Sequence, residues 1–493
     1  MLASLTPLVV LILLVVLPVV GAIVAAGLRP RVVRPFSTAA ALVTLVLAIW
    51  AVLRVFPDSF SSVFGSLPWL KGLEAVGLFG VLIDPLTSLM LIVITGVGLL
   101  VVLYSTAYLT ERNREHDLSE GQGRYYFWLL LFIGAMVGVA ISPNLLQLFI
   151  FWELTTLCSW ALISHTQEDK ALRAGFKAFI VTHVGGLFFL VALFILFIAT
   201  KSFGFTALEQ LTPGLKNVVF IFLLIAAWAK AAQIPFHTWL PDAMEAPTPI
   251  SAYLHAAAMV KAGVYLVARV VSSSWTIPPS MGLLTAIMAL ATMFMALTLY
   301  FAQDDLKRLL AYSTIAHLSY VLLGVGMGIL GSGLGFRGAV LHIINHGFAK
   351  STLFLCAGAV AYATGTRSIS QLSGLGRKLP VVGLSFFVGV LAVTGIPPFA
   401  CFWSKWFIIN GAMQLSGPLG PILLILVLVE SLISFGWLLW VGHRIFLGQP
   451  TAVVQPVHNP LPWPMTLSLV LLVVMCLVAP WVGLPLVEMI PVR

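Results

Sequence analysis

Four lysines and two carboxylates stand inside stretches otherwise apolar enough to cross a lipid bilayer: Lys230, Lys261, Lys350, Lys405, Glu153 and Glu430. A charge at the centre of an isolated membrane helix costs about 2.5–3.5 kcal/mol on insertion scales. Such residues must face the interior of a helix bundle, one another, or water. Lysine held away from water can give up its proton, and histidine exchanges one near neutral pH. His342, His346 and Lys350 recur every four residues and so share one helical face, while His255 precedes Lys261 by six and His317 sits in a separate apolar run. A line of Glu, Lys and His across mid-membrane is what a proton path requires. A single histidine would more simply be a hydrogen-bonded packing residue, and a single lysine a static ion pair or a snorkelling cation. The whole set points to transfer. Glu430 is the weakest member and reads as a packing or interfacial acid. His342 and His346 have a spacing that suits metal ligation, but no Cys or acidic third ligand is near, so no metal or cofactor is expected.

The elements that must carry these groups follow from composition. The chain has 493 residues, 60% hydrophobic and 9% charged, with a mean hydropathy of +1.07. A soluble domain carries roughly a quarter charged residues. An ordinary cytosolic enzyme, a disordered chain and a nucleic-acid binder are therefore excluded, and the net charge of +9 is scattered through short gaps rather than gathered on a face. What remains is an all-α polytopic membrane protein of about 14 transmembrane helices. The runs fall near 6–28, 34–56, 80–108, 124–141, 143–165, 174–200, 216–234, 249–272, 278–301, 309–330, 337–362, 381–410, 420–446 and 463–488. The gaps leave room for short surface elements only, and no alternating polar face suggests a β-barrel. The first run lacks a basic leader and reads as a membrane helix. Cys158, Cys356, Cys401 and Cys476 lie far apart in apolar runs and read as small packing residues.

Loop cations divide unequally. Arg54, Lys71, Lys201, Lys216, Arg269, Arg337 and Arg493 fall on one side, and 15 others in loops or near span ends, Lys307 among them, fall on the opposite side. The positive-inside rule then puts the richer loops in the cytoplasm and both termini outside it, in a cell inner (plasma) membrane. An even number of helices requires both termini on one side, in agreement.

Two helices carry proline in mid-span: AWAKAAQIPFHTWLPDA over 227–243, with Lys230 before Pro235, and TGIPPFACFWSKWFI over 394–408, with Lys405 after Pro397 and Pro398. Proline removes a backbone donor and frees a carbonyl one turn earlier, which a membrane tolerates only where protein or water satisfies it. Each break marks a polar cavity with a lysine at its edge. The offset from Pro235 to Pro397 is 162, close to the offsets of 163 for His183 to His346 and 164 for Glu153 to His317. Two copies of a five-helix unit are implied, and an odd helix number inverts the second copy. The organisation expected is N-terminal helices 1–3 over 1–123, a first repeat over 124–272, a second over 273–446, and a last helix over 447–493.

KAAQIPFHTWLPDAMEAPTPISAYLHAAAMVKAGVYLVAR (230–269) strongly resembles the signature of the antiporter-like subunits shared by respiratory complex I, membrane-bound hydrogenases and Mrp-type cation/proton antiporters. FWELTTLCSWALI (151–163), DDLKRLLAYSTIAHLSY (304–320), HIINHGFAKSTLFL (342–355) and GIPPFACFWSK (395–405) are similar to its other motifs. The resemblance implies 14 helices with two inverted five-helix repeats and two broken helices. Glu153 matches the family carboxylate on the fifth helix, Lys230 its partner on the broken seventh, Lys350 the central lysine of the eleventh, and Lys405 the terminal charge on the broken twelfth. His255, Lys261, His317, His342 and His346 match connecting positions. His183 and Gly186 depart from the pattern, standing where some members have a basic residue and an acid.

The function expected is proton translocation through a Glu/Lys/His chain, as one membrane subunit of a multisubunit ion-pumping complex. The sequence contains no flavin, quinone or iron–sulfur motif and no catalytic centre of its own. The driving energy must come either from a redox module with iron–sulfur clusters or from exchange against sodium. Alternatives are a subunit of an Mrp-type sodium/proton antiporter without redox chemistry, and an energy-coupling subunit of an inorganic-carbon uptake system. The partners expected are other membrane subunits and the lipid bilayer, with protons and, in the antiporter reading, sodium as cargo.

Overall fold

The computed structural model describes residues 7–55, 59–64, 77–273, 276–457 and 461–491. Lys71 and Arg493, used in the loop tally, and residues 1–6 lie outside them. Helices come in the order α1 (Pro7–Gly27), α2 (Pro30–Val55), α3 (Pro85–Tyr108), α4 (Gln122–Ile141), α5 (Leu145–Ile163), α6 (Asp169–Thr200), α7 (Pro213–Lys230), α8 (Trp239–Asp242), α9 (Thr248–Ala256), α10 (Met259–Ser273), α11 (Pro279–Tyr300), α12 (Leu306–Ile329), α13 (Gly333–Thr364), α14 (Pro380–Thr394), α15 (Ala400–Ala412), α16 (Leu419–Phe446) and α17 (Trp463–Glu488). Eleven spans among the described residues have the length and hydropathy to cross a membrane, α9 and α10 counting as one. The remaining crossings are α1, the more polar α13, and α14 with α15. The expected fourteen are thus present in a multi-pass membrane protein.

Three boundaries differ from the sequence expectation. The third helix begins at Pro85 rather than near 80, because Phe79–Ile83 is a strand, β2, paired antiparallel with β1 (Phe60–Phe64). Gln147 on α5 fixes this hairpin, accepting from Gly80 N at 2.8 Å and donating to Gly80 O at 3.0 Å. Asp84 then caps α3 by accepting from Thr87 N at 2.8 Å. The seventh helix stops at Lys230, short of 234. The eighth span has a third interruption at 257–258, between His255 and Lys261.

The inverted repeat is visible in local hydrogen bonding. α6 and α13 are both 32 residues long and end on left-handed residues, Lys201 (φ +54) and Gly365 (φ +77). After α6, Ser202 N donates to Thr200 Oγ1 at 3.3 Å and Gly204 N to Ser202 Oγ at 3.1 Å. After α13, Thr366 N donates to Thr364 Oγ1 at 3.3 Å and Ser368 N to Thr366 Oγ1 at 3.2 Å. Each loop then bridges to the N-cap of the preceding helix, Gly204 with Asn144 and Ser368 with Asp305. Five crossings, the last of them α13 itself, separate the two loops, so they lie on opposite membrane faces.

Two cations assigned to loops are buried. Lys307, in the first turn of α12, donates to Ala246 O at 2.7 Å. Arg269 lies in α10 and donates through both terminal nitrogens to Asp84, with Thr87 Oγ1 at 2.7 Å and Tyr265 Oη at 2.8 Å completing its shell. Burial acts to raise the Asp84 pKa, but the Arg269 charge and hydrogen bonds from Arg269 and Thr87 outweigh it and hold the carboxyl below its ordinary value. Asp84→Asn strands the guanidinium without a counter-charge and is expected to cost about 3–5 kcal/mol, read as earlier thermal unfolding in detergent. The contribution of the pair is full above the unfolded carboxyl pKa of about 3.9 and is lost as pH falls through the lower folded value. Equal melting of Asp84→Asn and wild type would remove the pair from this account.

Candidate functional site

The first break starts where α7 ends. Gln233 N reaches back to Trp228 O at 2.8 Å around Ala232, whose φ is +50. Of the carbonyls this frees, that of Ala229 accepts from Trp239 Nε1 at 2.9 Å and that of Ala231 from Gln233 Nε2 at 3.0 Å. Gln233 also accepts from Ser319 Oγ at 2.8 Å, so its amide ties the break to α12 of the second repeat. Lys230, fully buried, donates to Trp152 O at 2.8 Å and Thr156 Oγ1 at 2.6 Å and lies over the Trp152 ring at 4.8 Å. All three contacts come from α5.

Glu153 is also on α5 but does not hydrogen-bond Lys230. Its Oε2 lies 2.7 Å from His183 Nδ1. Gly186 leaves room for this carboxylate: a Cβ there would sit 2.1 Å from Glu153 Oε1. The partner of the acid here is thus a histidine. His183 and Gln233 are the first-repeat residues that sequence reasoning left out of the site. His183 carried a signal, its offset of 163 from His346. Gln233 carried none.

The other residues form one buried array. Lys261 Nζ lies 2.9 Å from His346 Nδ1. His317, His342 and His346 stack with ring centroids 5.2–5.7 Å apart. His317 Nδ1 is 3.2 Å from His342 Nε2, and His342 Nδ1 is 2.8 Å from Ser404 Oγ on α15, beside Lys405. Lys350 donates to Ser313 Oγ on α12. His255 stacks on Phe354 at 5.0 Å and has no hydrogen-bond partner in the protein at either nitrogen. All seven side chains from His255 to Lys350 and Ser404 are fully buried.

At the second break, Ile396 N reaches back to Leu391 O at 3.0 Å around Gly395, whose φ is +89. A side chain at Gly395 would be strained by that φ and would meet Lys405 Cδ at 2.9 Å. Here the lysine itself takes a freed carbonyl: Lys405 Nζ donates to Thr394 O at 3.1 Å and to Ser431 Oγ at 3.0 Å, and lies 4.5 Å from the Tyr320 ring centroid. Glu430, on α16, is fully buried one residue from Ser431. Full burial removes it from an interfacial position and leaves the packing reading open.

Trp239→Phe keeps an aromatic side chain but removes the 2.9 Å indole bond to the Ala229 carbonyl and shrinks a fully buried group. A loss of about 1–3 kcal/mol is expected, measured as a lower thermal midpoint. Gly186→Ala should displace the Glu153 carboxylate and break its contact with His183, visible as loss of the 2.7 Å pairing in an experimental structure of the variant.

Comparison with known proteins places the chain as a whole. Residues 142–434 match the family described as NADH:quinone oxidoreductase/Mrp antiporter, transmembrane, and residues 69–126 match that of the complex I chain 5 N-terminus. The chain is 38% identical over 402 residues to the chloroplastic NAD(P)H-quinone oxidoreductase subunit 5 of Chaetosphaeridium globosum, covering 78% of this chain and 58% of the relative. It is 39% identical to that of Anthoceros angustus, covering 75% and 51%. This chain thus spans about half the length of these relatives. A chain in the Mrp complex from Dietzia sp. superposes with a TM-score of 0.85 at 30% identity, over 97% of this chain and 51% of that one. The membrane-bound sulfane sulfur reductase, an archaeal respiratory membrane complex, shares the fold at TM-score 0.83 and 22% identity over 96% of this chain and 76% of that one. With more than half its length matched by one family model, the chain belongs to the NADH:quinone oxidoreductase/Mrp antiporter transmembrane family.

Proposed function

We propose that this chain is a proton-translocating, antiporter-like subunit of a multisubunit membrane complex, passing protons along Glu153, Lys230, His255, Lys261, His317, His342, His346, Lys350 and Lys405. The single observation that carries this is the stack of three fully buried histidines with a lysine at one end and Ser404, beside Lys405, at the other. A static core gains nothing from so many ionisable groups. Both nitrogens of His255 and Nε2 of His317 and His346 lack protein partners. Buried polar groups are nearly always hydrogen-bonded, so a complete shell at these atoms calls for water, which also carries protons. The helix breaks at Pro235 and at Pro397 and Pro398 supply the polar openings. The partition into 1–123, 124–272, 273–446 and 447–493 follows from the repeat, with each five-helix unit contributing one access path from one face.

A partner subunit is supported by the Glu153–His183 pair. These side chains remain 24% and 44% exposed on helices that cross the membrane. Lipid is a poor cover for them, and another membrane subunit is a good one. With Lys230 held by Trp152 and Thr156, Glu153 is free to alternate between His183 and the lysine, which couples the lysine's proton to events at this flank. The loop cations favour the richer face in the cytoplasm and both termini outside, in a cell inner membrane.

Two partners fit. Relatives named as NAD(P)H-quinone oxidoreductase subunits favour a redox-driven complex whose clusters reside in other chains. The superposition on about half of a chain of an Mrp complex favours the antiporter reading, in which sodium would be exchanged. Mass spectrometry of the complex extracted through a tag on this chain separates them by subunit content: iron–sulfur subunits in one case, small hydrophobic subunits in the other. Carbonic-anhydrase-like subunits would indicate the inorganic-carbon reading instead. In any of these complexes, Lys230→Ala and Glu153→Ala are expected to abolish coupled transport without preventing assembly. Wild-type transport in an assembled variant would remove that residue from the path.

A further inference from the structure

Beyond the nine residues of the path, the second repeat contains a fully buried carboxylate that the path does not use. Glu430 lies in the middle of α16, a helix of Leu, Val and Ile whose lipid-side residues are exposed. Its oxygens are acceptors only: Oε1 accepts from Ser434 Oγ at 2.5 Å, and Oε2 accepts from the Tyr320 hydroxyl. Tyr320 has one hydrogen and two acceptors in reach, Glu430 Oε2 and, farther off at 3.2 Å, Val427 O. With it on Glu430, the contact of 2.8 Å between Tyr320 Oη and Ser431 Oγ must be donated by Ser431. Ser431 Oγ in turn accepts from Lys405 Nζ at 3.0 Å. The donors therefore point one way, from Lys405 through Ser431 and Tyr320 to Glu430. The titratable groups around the carboxylate are Tyr320 from α12, Tyr300 from α11, 3.3 Å from Ser434, Lys405 from α15 and, at longer range without a hydrogen bond, Lys350 from α13.

A glutamine would pack equally well and spare the desolvation of a charge, so packing does not explain an acid here. A buried ammonium needs a counter-charge, and Glu430 is the carboxylate its hydrogen bonds lead to. We propose that Glu430 is the proton-accepting partner of Lys405, giving the second repeat an acid–lysine pair of its own. In the transfer, the Lys405 ammonium loses one proton and becomes an amine. Ser431 and Tyr320 each take one proton and pass one on, and the Glu430 carboxylate becomes a carboxylic acid. This rests on the proposed proton path, since it assigns the group that Lys405 exchanges with.

The test uses the whole complex, purified through a tag on this chain and reconstituted in liposomes. Proton entry driven by a potassium diffusion potential is followed with an internal pH dye. Lys405→Gln is the control, Glu430→Gln and Tyr320→Phe are the test variants, and Glu430→Asp is the conservative rescue. We expect Glu430→Gln and Tyr320→Phe each to slow flux by about a hundredfold, with Glu430→Asp recovering a substantial part. Thermal midpoints supply a readout of charge pairing: each single neutralisation should lower stability and the Lys405→Gln/Glu430→Gln double variant should regain most of the loss. Wild-type flux in assembled Glu430→Gln, with Lys405→Gln inactive, overturns the assignment of Glu430 and leaves the path standing. Wild-type flux in Lys405→Gln overturns both. If Glu430→Gln does not assemble, Tyr320→Phe decides: slowed flux supports the relay and unchanged flux overturns it.

Discussion

An ammonium group inside a bilayer has to be met by acceptor atoms, and an unbroken helix offers few, because its carbonyls are already engaged with its own amides and have only a second lone pair to spare. This constraint organises the chain. α14 stops at Thr394, and the carbonyl left over becomes a ligand for Lys405. α5 keeps its helix but lends the Trp152 carbonyl and the Thr156 hydroxyl to Lys230. What the breaks release without using, the fold collects elsewhere, as with the Ala229 carbonyl and the Trp239 indole. Glycine appears where these arrangements need space, at Gly186 against Glu153 and at Gly395 against the Lys405 stem.

The two repeats share a backbone plan and differ in where they place charge. The loop after α6 and the loop after α13 repeat the same side-chain-to-amide contacts 164 residues apart, on opposite faces. The charges do not superpose. One repeat length before Lys350 stands Gly186, and Lys230 precedes its break whereas Lys405 follows the other. An inverted duplication alone would give two equivalent sites. The substitutions instead give a first half with a carboxylate open to the flank of the molecule, and a second half in which the histidines are sealed. Gln233 and Ser319 join the halves, and the histidine stack continues from there toward α15.

Much of this could be read from the residues. Long apolar runs fixed the crossings, because twenty apolar residues have few other uses, and the prolines marked two breaks. The interruption at 257–258 is not legible because Ala256, Ala257 and Ala258 favour helix by local measures, yet Ala258 N reaches back to Tyr253 O at 2.9 Å. The strand at 79–83 escaped because five apolar residues joined to a helix read as more helix. Two buried charges are hard to place from sequence for a related reason. Glu430 lay in an apolar run with no motif around it, and its neighbours Tyr320 and Lys405 are distant in sequence. Arg269 stood near a predicted helix end, where a loop cation is the common case, and its partner Asp84 is 185 residues away. Local pattern reports what a residue's own element is, and not what that element packs against.

Lys350 decides the central claim, since it sits in the sealed half, between the histidine face and the α12 hydroxyl of Ser313. The measurement is proton entry into liposomes containing the intact complex, at a fixed imposed potential, for wild type against Lys350→Ala. If the buried Lys and His array conducts, wild type acidifies the interior and the assembled variant falls to the leak of empty liposomes. Equal acidification by the two would mean that protons cross by another route, and that the array is a structural core.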